Sequence, residues 1–258
     1  MALLAMAIHD TPENGRDRFT KETLESLAET VDFSKHRVCL VVNAATDNTI
    51  AAVQRFKDIS GCKVLMMPEN VGTARAINQA WKFREPGENA IKMDNDVVIH
   101  QAGWVEILED CISLDSKIGI IGLKRKDCIE SPWRDDQYKS HIKMLPHELG
   151  WPWRIVEVVN HVMGTCQMYN SDLLDKIGYL YQPRLYGFDD SLAAVRCKVA
   201  GFYSCFYSSI EIDHIDPGDN PYQKWKEKVA DEDMNRYNEI KEQYRSGRRP
   251  VWCDADYQ

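Results

Sequence analysis

Short apolar runs alternate along most of the chain with segments in which apolar residues recur every three to four positions. The runs predict buried β-strands, and the spaced pattern predicts helices that cover the strands. Phe19, Leu24, Leu27 and Val31, for example, fall on one face of a helix. We predict strands at 2–8, 37–42, 62–67, 90–94, 118–123 and 204–212, and helices at 18–31, 49–59, 73–84, 104–114, 171–177 and 189–200.

This alternation predicts an α/β fold with a mostly parallel central sheet flanked by helices. Residues 1–216 are expected to form one domain, and residues 217–258 a charged helical tail that packs on it. Residues 124–160 break the pattern, because charges, prolines and tryptophans mix there without a helical or strand period. Irregular insertions of this length are typical of functional loops.

Composition adds several constraints. The chain has 258 residues, 44% hydrophobic and 28% charged, which is ordinary for a soluble globular protein. A net charge of -8 argues against nonspecific nucleic-acid binding, and a phosphate-bearing ligand would need a bridging cation. Eight cysteines without a C-x-x-C pair indicate neither a zinc knuckle nor a disulfide framework, and they favour a reducing, cytoplasmic location.

The apolar runs of the sequence do not predict a signal peptide or a membrane span. The opening MALLAMAIHD lacks the basic start of a signal peptide, so we interpret it as the first strand. No other apolar run approaches the roughly 18 residues of a membrane span.

Two carboxylates separated by one residue, Asp94 and Asp96, follow the predicted strand at 90–94. Two like charges at the end of a buried strand repel each other and resist desolvation unless a cation joins them. Carboxylates are ligands that divalent cations prefer, and a metal could bridge them to a diphosphate. A polar turn that ends the strand is the structural alternative.

Four segments occur in a suggestive order: VVNAATDNT at 41–49, MPENVGTARAINQAW at 67–81, KMDNDVVI at 92–99, and GYLYQPRLYGFDDSLAAVRCKVAG at 178–201 followed by IDHID at 212–216. This order resembles the family 2 glycosyltransferases of the nucleotide-diphospho-sugar transferase superfamily. The resemblance covers residues 2–216 and implies a GT-A (Rossmann-like) fold, a Mn²⁺ or Mg²⁺ cofactor, a nucleotide-diphosphate sugar donor, expected to be UDP-linked, and inverting transfer to an acceptor hydroxyl.

The resemblance also assigns donor-binding residues. Asn43 would contact the nucleobase, although Val42 stands where the family often has an acid, and an Asx turn is the alternative for Asn43. Arg75 would touch the diphosphate unless it is a surface arginine. Asn70, Gly72 and Asn95 would complete this set of donor contacts.

The resemblance also assigns metal ligands, in the acidic segment at 94–96 and after the last predicted strand. Asp96 is the first choice as a metal ligand, and Asp94 would share the metal or reach the ribose. His214 lies where related transferases place a third ligand, and a buried histidine paired with a carboxylate is its alternative.

The segment GFDD, at 187–190, resembles the family's G-x-E-D at the start of a helix that ends in an arginine, here Arg196. The match makes Asp190 the base that deprotonates the acceptor hydroxyl and puts Asp189 in place of the usual Glu. Two acids that complement a helix dipole are the alternative. Asp47, in contrast, is expected to cap the helix that begins near Asn48.

The acceptor is the least defined part of the prediction. The insertion and the tail would build its site, and Trp151 and Trp153 are the expected stacking residues for a glycan or another hydroxyl compound. A hydroxymethylated base of viral DNA is an alternative acceptor, which the net charge disfavours.

Two other functions remain open at this point. A nucleotidyltransferase would share the sheet, but HDTPENGRDR, at 9–18, has only one glycine for a triphosphate loop. A non-catalytic carbohydrate- or nucleic-acid-binding module would use the tryptophans as a stacking platform.

Overall fold

The computed structural model describes residues 1–129, 141–146, 154–216, 218 and 221–257. These residues form a mixed sheet with helices on both faces. Its strands are β1 (Ala2–Ile8), β2 (Arg37–Asn43), β3 (Cys62–Met67), β4 (Asn89–Met93), β5 (Val97–Val98), β6 (Ile118–Arg125), β7 (His141–Leu145), β8 (Arg154–Val159), β9 (Cys166–Tyr169) and β10 (Tyr203–His214). Its helices are α1 (Asp17–Thr30), α2 (Asp47–Gln54), α3 (Thr73–Trp81), α4 (Trp104–Leu114), α5 (Lys126–Ile129), α6 (Ser171–Ile177), α7 (Asp189–Val199) and α8 (Pro221–Arg245).

The order across the sheet is β3-β2-β1-β4-β9-β6-β10-β8-β7, and β5 pairs with β10. β3, β2, β1 and β4 are mutually parallel, and β10 runs parallel to β6. β9 is antiparallel to both of its neighbours, so β4, β6 and β10 all point the same way. The predicted α/β fold is therefore confirmed, and the carboxyl ends of these strands meet at one edge.

Alternation along β1 shows how the sheet divides the core. Leu4 and Met6 pack with α1, α2 and α4 on one face, whereas Leu3 and Ala5 pack with α3, α6 and α7 on the other. Residues of both faces are buried, which is why the strand reads as one continuous apolar run.

The structure corrects the prediction for the insertion. The described part of 124–160 contains β7 and β8, which pair with each other in antiparallel register and extend the sheet beyond β10. Ile142 and Met144 of β7 are exposed, so the edge strand lacks the clear in-out alternation that predicts a strand.

The prediction for Asp47 is also wrong. α2 begins at Asp47, Thr46 occupies the N-cap position, and no side-chain capping bond forms there. Asp10, which is 3% exposed, stabilises the start of α2 instead. It accepts hydrogen bonds from Thr46 N at 2.6 Å and from Thr49 Oγ1 at 2.6 Å.

In the described part of the chain, every helix is either too short or too polar to cross a bilayer. The longest, α8, packs against α7 through a small cluster that includes Leu192, Ile240 and Tyr244. The C-terminal segment also contacts this region, where Cys253 N donates to Ile177 O at 2.9 Å.

Arg196 connects these parts from inside α7. It is fully buried and donates to three backbone oxygens: Val251 O at 2.7 Å, Tyr179 O at 2.8 Å and Ile177 O. Burial lowers its pKa. The arginine at the end of the GFDD segment therefore has a structural role.

We expect Arg196→Met to lower the free energy of unfolding by about 2–5 kcal/mol, because buried carbonyls then lose their donor. Urea denaturation measures this value. Lys198→Met, on the exposed side of the same helix, is the matched control and should change it by less than about 0.5 kcal/mol. Equal stability of the two variants would contradict this role.

Candidate active site

Two cavities adjoin at the carboxyl edge of the sheet. The smaller, of about 360 Å³, is lined by residues at the ends of β1, β2 and β3, among them His9, Asn43 and Asn70. The larger, of about 770 Å³, is lined by acidic and basic side chains that follow β4 and β10 and begin α7. Tyr186 and Thr73 line both cavities, so one extended ligand could span them.

Asn43 uses its side chain to shape the smaller cavity. Its amide donates to Asn70 Oδ1 at 3.0 Å, and its oxygen accepts from Val71 N at 2.9 Å. Asn70 Oδ1 also accepts from Gly72 N at 2.9 Å. Both asparagines therefore line the cavity while they hold the loop before α3. The side chain of Asn43 bonds to this distant loop and does not form the Asx turn that was its alternative.

Gly72 is required where this loop approaches another segment. Its φ is +87°, and a Cβ there would lie 3.0 Å from Leu185 O and 3.1 Å from Gln182 Oε1. Arg75 lies elsewhere: it lines neither cavity, is exposed, and donates to Tyr257 O at 3.0 Å. This placement agrees with the surface alternative for Arg75.

The acidic pair lies at the floor of the larger cavity. Asp96 is 3% exposed, and its Oδ2 accepts from the Arg16 guanidinium at 2.5 Å and lies 3.4 Å from His214 Nε2. Burial alone would raise the pKa of Asp96, but the bond from His214 and the charge of Arg16 lower it. Asn95 points away and donates to Thr20 Oγ1 at 2.7 Å.

The donor set suits a divalent cation. Asp96 Oδ1 is buried and has no hydrogen-bond partner among the described residues, although a buried carboxylate oxygen normally has one. Asp94 lines the same cavity, and carboxylate oxygen is the ligand that Mg²⁺ and Mn²⁺ prefer. Within the described ranges, no three side chains already converge as a ligand set, and His214 faces the Asp96 oxygen that Arg16 holds.

Lys92 balances the acids from inside β4. It is 3% exposed, and its Nζ lies 2.6 Å from Asp189 Oδ2 and 3.9 Å from Asp94 Oδ1. Burial opposes its charge, but Asp189, Asp94 and Asp190 together raise its pKa well above the ordinary value. The ionised form of Asp94 remains disfavoured. Burial, followed by repulsion from Asp96 and Asp189, raises the pKa of Asp94 to about 6, although Lys92 acts in the opposite direction.

Asp190 lies in the first turn of α7 and faces His161. Its Oδ2 is 3.2 Å from His161 Nε2 and accepts from Gly164 N at 2.9 Å. Burial would raise the pKa of Asp190, but the charge and hydrogen bond of His161, with Lys92, lower it. The same pairing raises the pKa of His161 although burial opposes it. Asp190 is therefore an ionised carboxylate at neutral pH.

The structure brings five of the predicted site residues together in the larger cavity and adds others. Asp94, Asp96, His214, Asp189 and Asp190 line one cavity. Trp151 and Trp153 lie outside the described residues. The site residues that sequence reasoning missed are Arg16, Lys92, His161 and Lys226, of which only Lys92 carried a signal, as a lysine inside an otherwise apolar strand.

These features define an α/β protein with a long cleft at the carboxyl edge of its sheet, which is where open α/β folds bind their ligands. The profile of Glycosyl transferase family 2 matches residues 15–178, which is more than half of the chain, and the chain belongs to that family. No curated protein matches the chain significantly.

Solved structures with the GT-A fold superpose on this one. A mannosyltransferase from Pyrobaculum calidifontis, in complex with GDP-Man and Mn²⁺, has a TM-score of 0.66 and 17% identity over 87% of this chain and 59% of its own. S. aureus TarS 1-349 has a TM-score of 0.58 and 20% identity over 85% and 62%. GalNAc-T7 with UDP, GalNAc and Mn²⁺ has a TM-score of 0.59 and 11% identity over 83% and 43%. The chain thus spans about three fifths or less of these proteins, and the likeness establishes the fold.

We expect Asp94→Asn to raise the melting temperature of the metal-free protein. Asp94 ionises at a lower pH in the unfolded chain, near the ordinary pKa of about 3.9, than in the folded protein. Above that pH, its ionisation therefore favours the unfolded chain and lowers the free energy of unfolding. The gain in melting temperature from Asn should therefore grow as pH rises from about 4 to 6 and then stay constant. Solvent limits the size of this gain, because the Asp94 side chain is about one-third exposed.

Melting curves in EDTA between pH 4 and 8 measure this difference. Asp175→Asn, which removes an exposed carboxylate on α6, is the control and should not reproduce the trend. A lower melting temperature for Asp94→Asn above pH 6 would contradict the electrostatic account of Asp94.

Proposed function

We propose that this protein is a metal-dependent glycosyltransferase that moves a sugar from a nucleotide-diphosphate donor to an acceptor hydroxyl with inversion. The observation that carries the proposal is the unpartnered Asp96 Oδ1 in a cavity that also contains Asp94 and the ionised Asp190. One part of the cavity lining can thus hold a cation with its diphosphate, and another part can accept a proton.

The proposed metal ligands are Asp96 and Asp94, with His214 as a third ligand that must turn from Asp96 Oδ2. Arg16 would keep Asp96 oriented by holding Oδ2 and leaving Oδ1 toward the cavity. A bound divalent cation neutralises charge on the leaving diphosphate. The Mn²⁺ complexes of two structural relatives support Mn²⁺ over Mg²⁺ as the first choice.

Asp190 would act as the base. Its carboxylate accepts the proton of the acceptor hydroxyl while the oxygen attacks the anomeric carbon and the bond to the diphosphate breaks. His161 and the Gly164 N–H hold the carboxylate in place, and Asp189, paired with Lys92, supports the start of α7.

The donor would place its base in the smaller cavity, with UDP as the expected nucleotide, which the TarS complexes with UDP and UDP-GlcNAc support. The acceptor site is proposed to include the insertion, with Trp151 and Trp153 as stacking residues. A cytoplasmic location stays a prediction. It is supported by the free thiols of Cys39, Cys62, Cys111, Cys166, Cys197, Cys205 and Cys253, which suit a reducing compartment.

Asp190→Asn tests the proposal for the base. We expect kcat to fall by about 10²–10⁴-fold, because the amide cannot take the proton, while donor affinity stays near normal. Steady-state kinetics and donor titration on folded protein give both values.

Asp172→Asn, in the first turn of α6, is the matched control, because it makes the same change at a helix start outside the cavity. It should leave kcat unchanged. A near-normal kcat for Asp190→Asn would remove Asp190 as the base and leave Asp189 as the candidate.

A further inference from the structure

The beginning of α8 faces both cavities. Tyr222 and Trp225 line the smaller cavity, and Lys226 lines the larger one. This segment lies beyond the residues that the family profile matches. The tail is expected to help build the acceptor site, but these side chains lie beside the residues assigned to the donor.

The aromatic side chains form a wall of the smaller cavity. The rings of Tyr222 and Trp225 stack with centroids 5.5 Å apart and an interplanar angle of 15°, and Tyr186 lies 5.6 Å from Trp225. Trp225 remains 43% exposed although it is a large apolar residue. A planar ligand that enters the cavity can stack on such a wall, because every nucleobase offers a π-face.

Lys226 supplies a cation that Asp96, Asp216 and Asp94 attract from beyond ion-pair distance. It makes no ion pair or hydrogen bond with the part of the chain that the structure describes, and its Nζ lies 4.7 Å from the Tyr222 ring centroid and 5.5 Å from that of Tyr186. Lys92, in the same cavity, is already paired with Asp189 at 2.6 Å. An ammonium in this state is suited to bind anionic phosphate oxygens.

Arg16 fixes the position of this segment. Its guanidinium lies 5.0 Å from the Tyr222 ring centroid and binds Asp96 and Asp216, so α8 is held against the acidic pair. Tyr186 lies where the two cavities meet. A ligand with its base beside Trp225 would therefore carry its diphosphate past Tyr186 toward Lys226.

We propose that the first two turns of α8 bind the donor, with Lys226 contacting the diphosphate and the Tyr222–Trp225 wall stacking on the nucleobase. This inference rests on the proposed function, because it assumes a nucleotide-diphosphate donor.

Calorimetric titration separates the two contacts. The probes are UDP and GDP, with uridine and guanosine as ligands that lack the diphosphate, each with Mn²⁺ present. Lys226→Met should weaken binding of the nucleoside diphosphate by about 10- to 100-fold and leave nucleoside binding unchanged. Trp225→Leu, which keeps an apolar side chain without a ring, should weaken both ligands by about 5- to 100-fold.

Lys224→Met is the matched control, because Lys224 is exposed, lines neither cavity and carries the same charge. It should bind both ligands as the wild type does, and circular dichroism verifies the fold of each variant. If Lys226→Met binds the diphosphate as tightly as Lys224→Met, or Trp225→Leu binds the nucleoside normally, the inference falls while the proposed function stands. If the wild type binds neither nucleoside diphosphate, both fall together.

Discussion

Repulsion among buried aspartates at the carboxyl edge of the sheet is the constraint on which the site depends. Asp96, Asp189 and Asp216 are almost fully buried, and a buried carboxylate is costly unless a cation or hydrogen bonds accompany it. Arg16, at the N-cap position of α1, and Lys92, in β4, provide those cations. Because each pair joins segments distant in sequence, the charges of the site also fix the elements around it.

Within the described part of the chain, some charged groups of the site lack a partner that would neutralise them. Asp96 keeps one buried oxygen without a partner in the described residues, Asp94 has a raised pKa, and Lys226 has a charge without an ion pair. Each of these features costs stability in the free protein, and each would be relieved by a cation bound with a diphosphate. Features that lower stability in this way are expected at a binding site.

The sequence predicted the parts of the fold that have a one-dimensional pattern. β1, β2 and β6 were recognised because strands buried on both faces read as continuous apolar runs, and the acids were recognised because they end such strands. β9 was missed because its four residues, CQMY, include a polar one and are too few for a period. Arg16 and His161 were missed because their partners, Asp96 and Asp190, are distant in sequence, and no local spacing links them.

The central claim is that Asp96 and Asp94 hold a divalent cation that is required to cleave the sugar donor. The most direct test is to measure nucleoside diphosphate release from a panel of UDP- and GDP-sugars. The wild type should release nucleoside diphosphate from at least one donor with Mn²⁺, lose this activity in EDTA, and recover it when Mn²⁺ is restored. Asp96→Asn should remain folded and lose turnover by orders of magnitude under the same conditions. Turnover that persists in EDTA, or full activity of Asp96→Asn, would contradict the account.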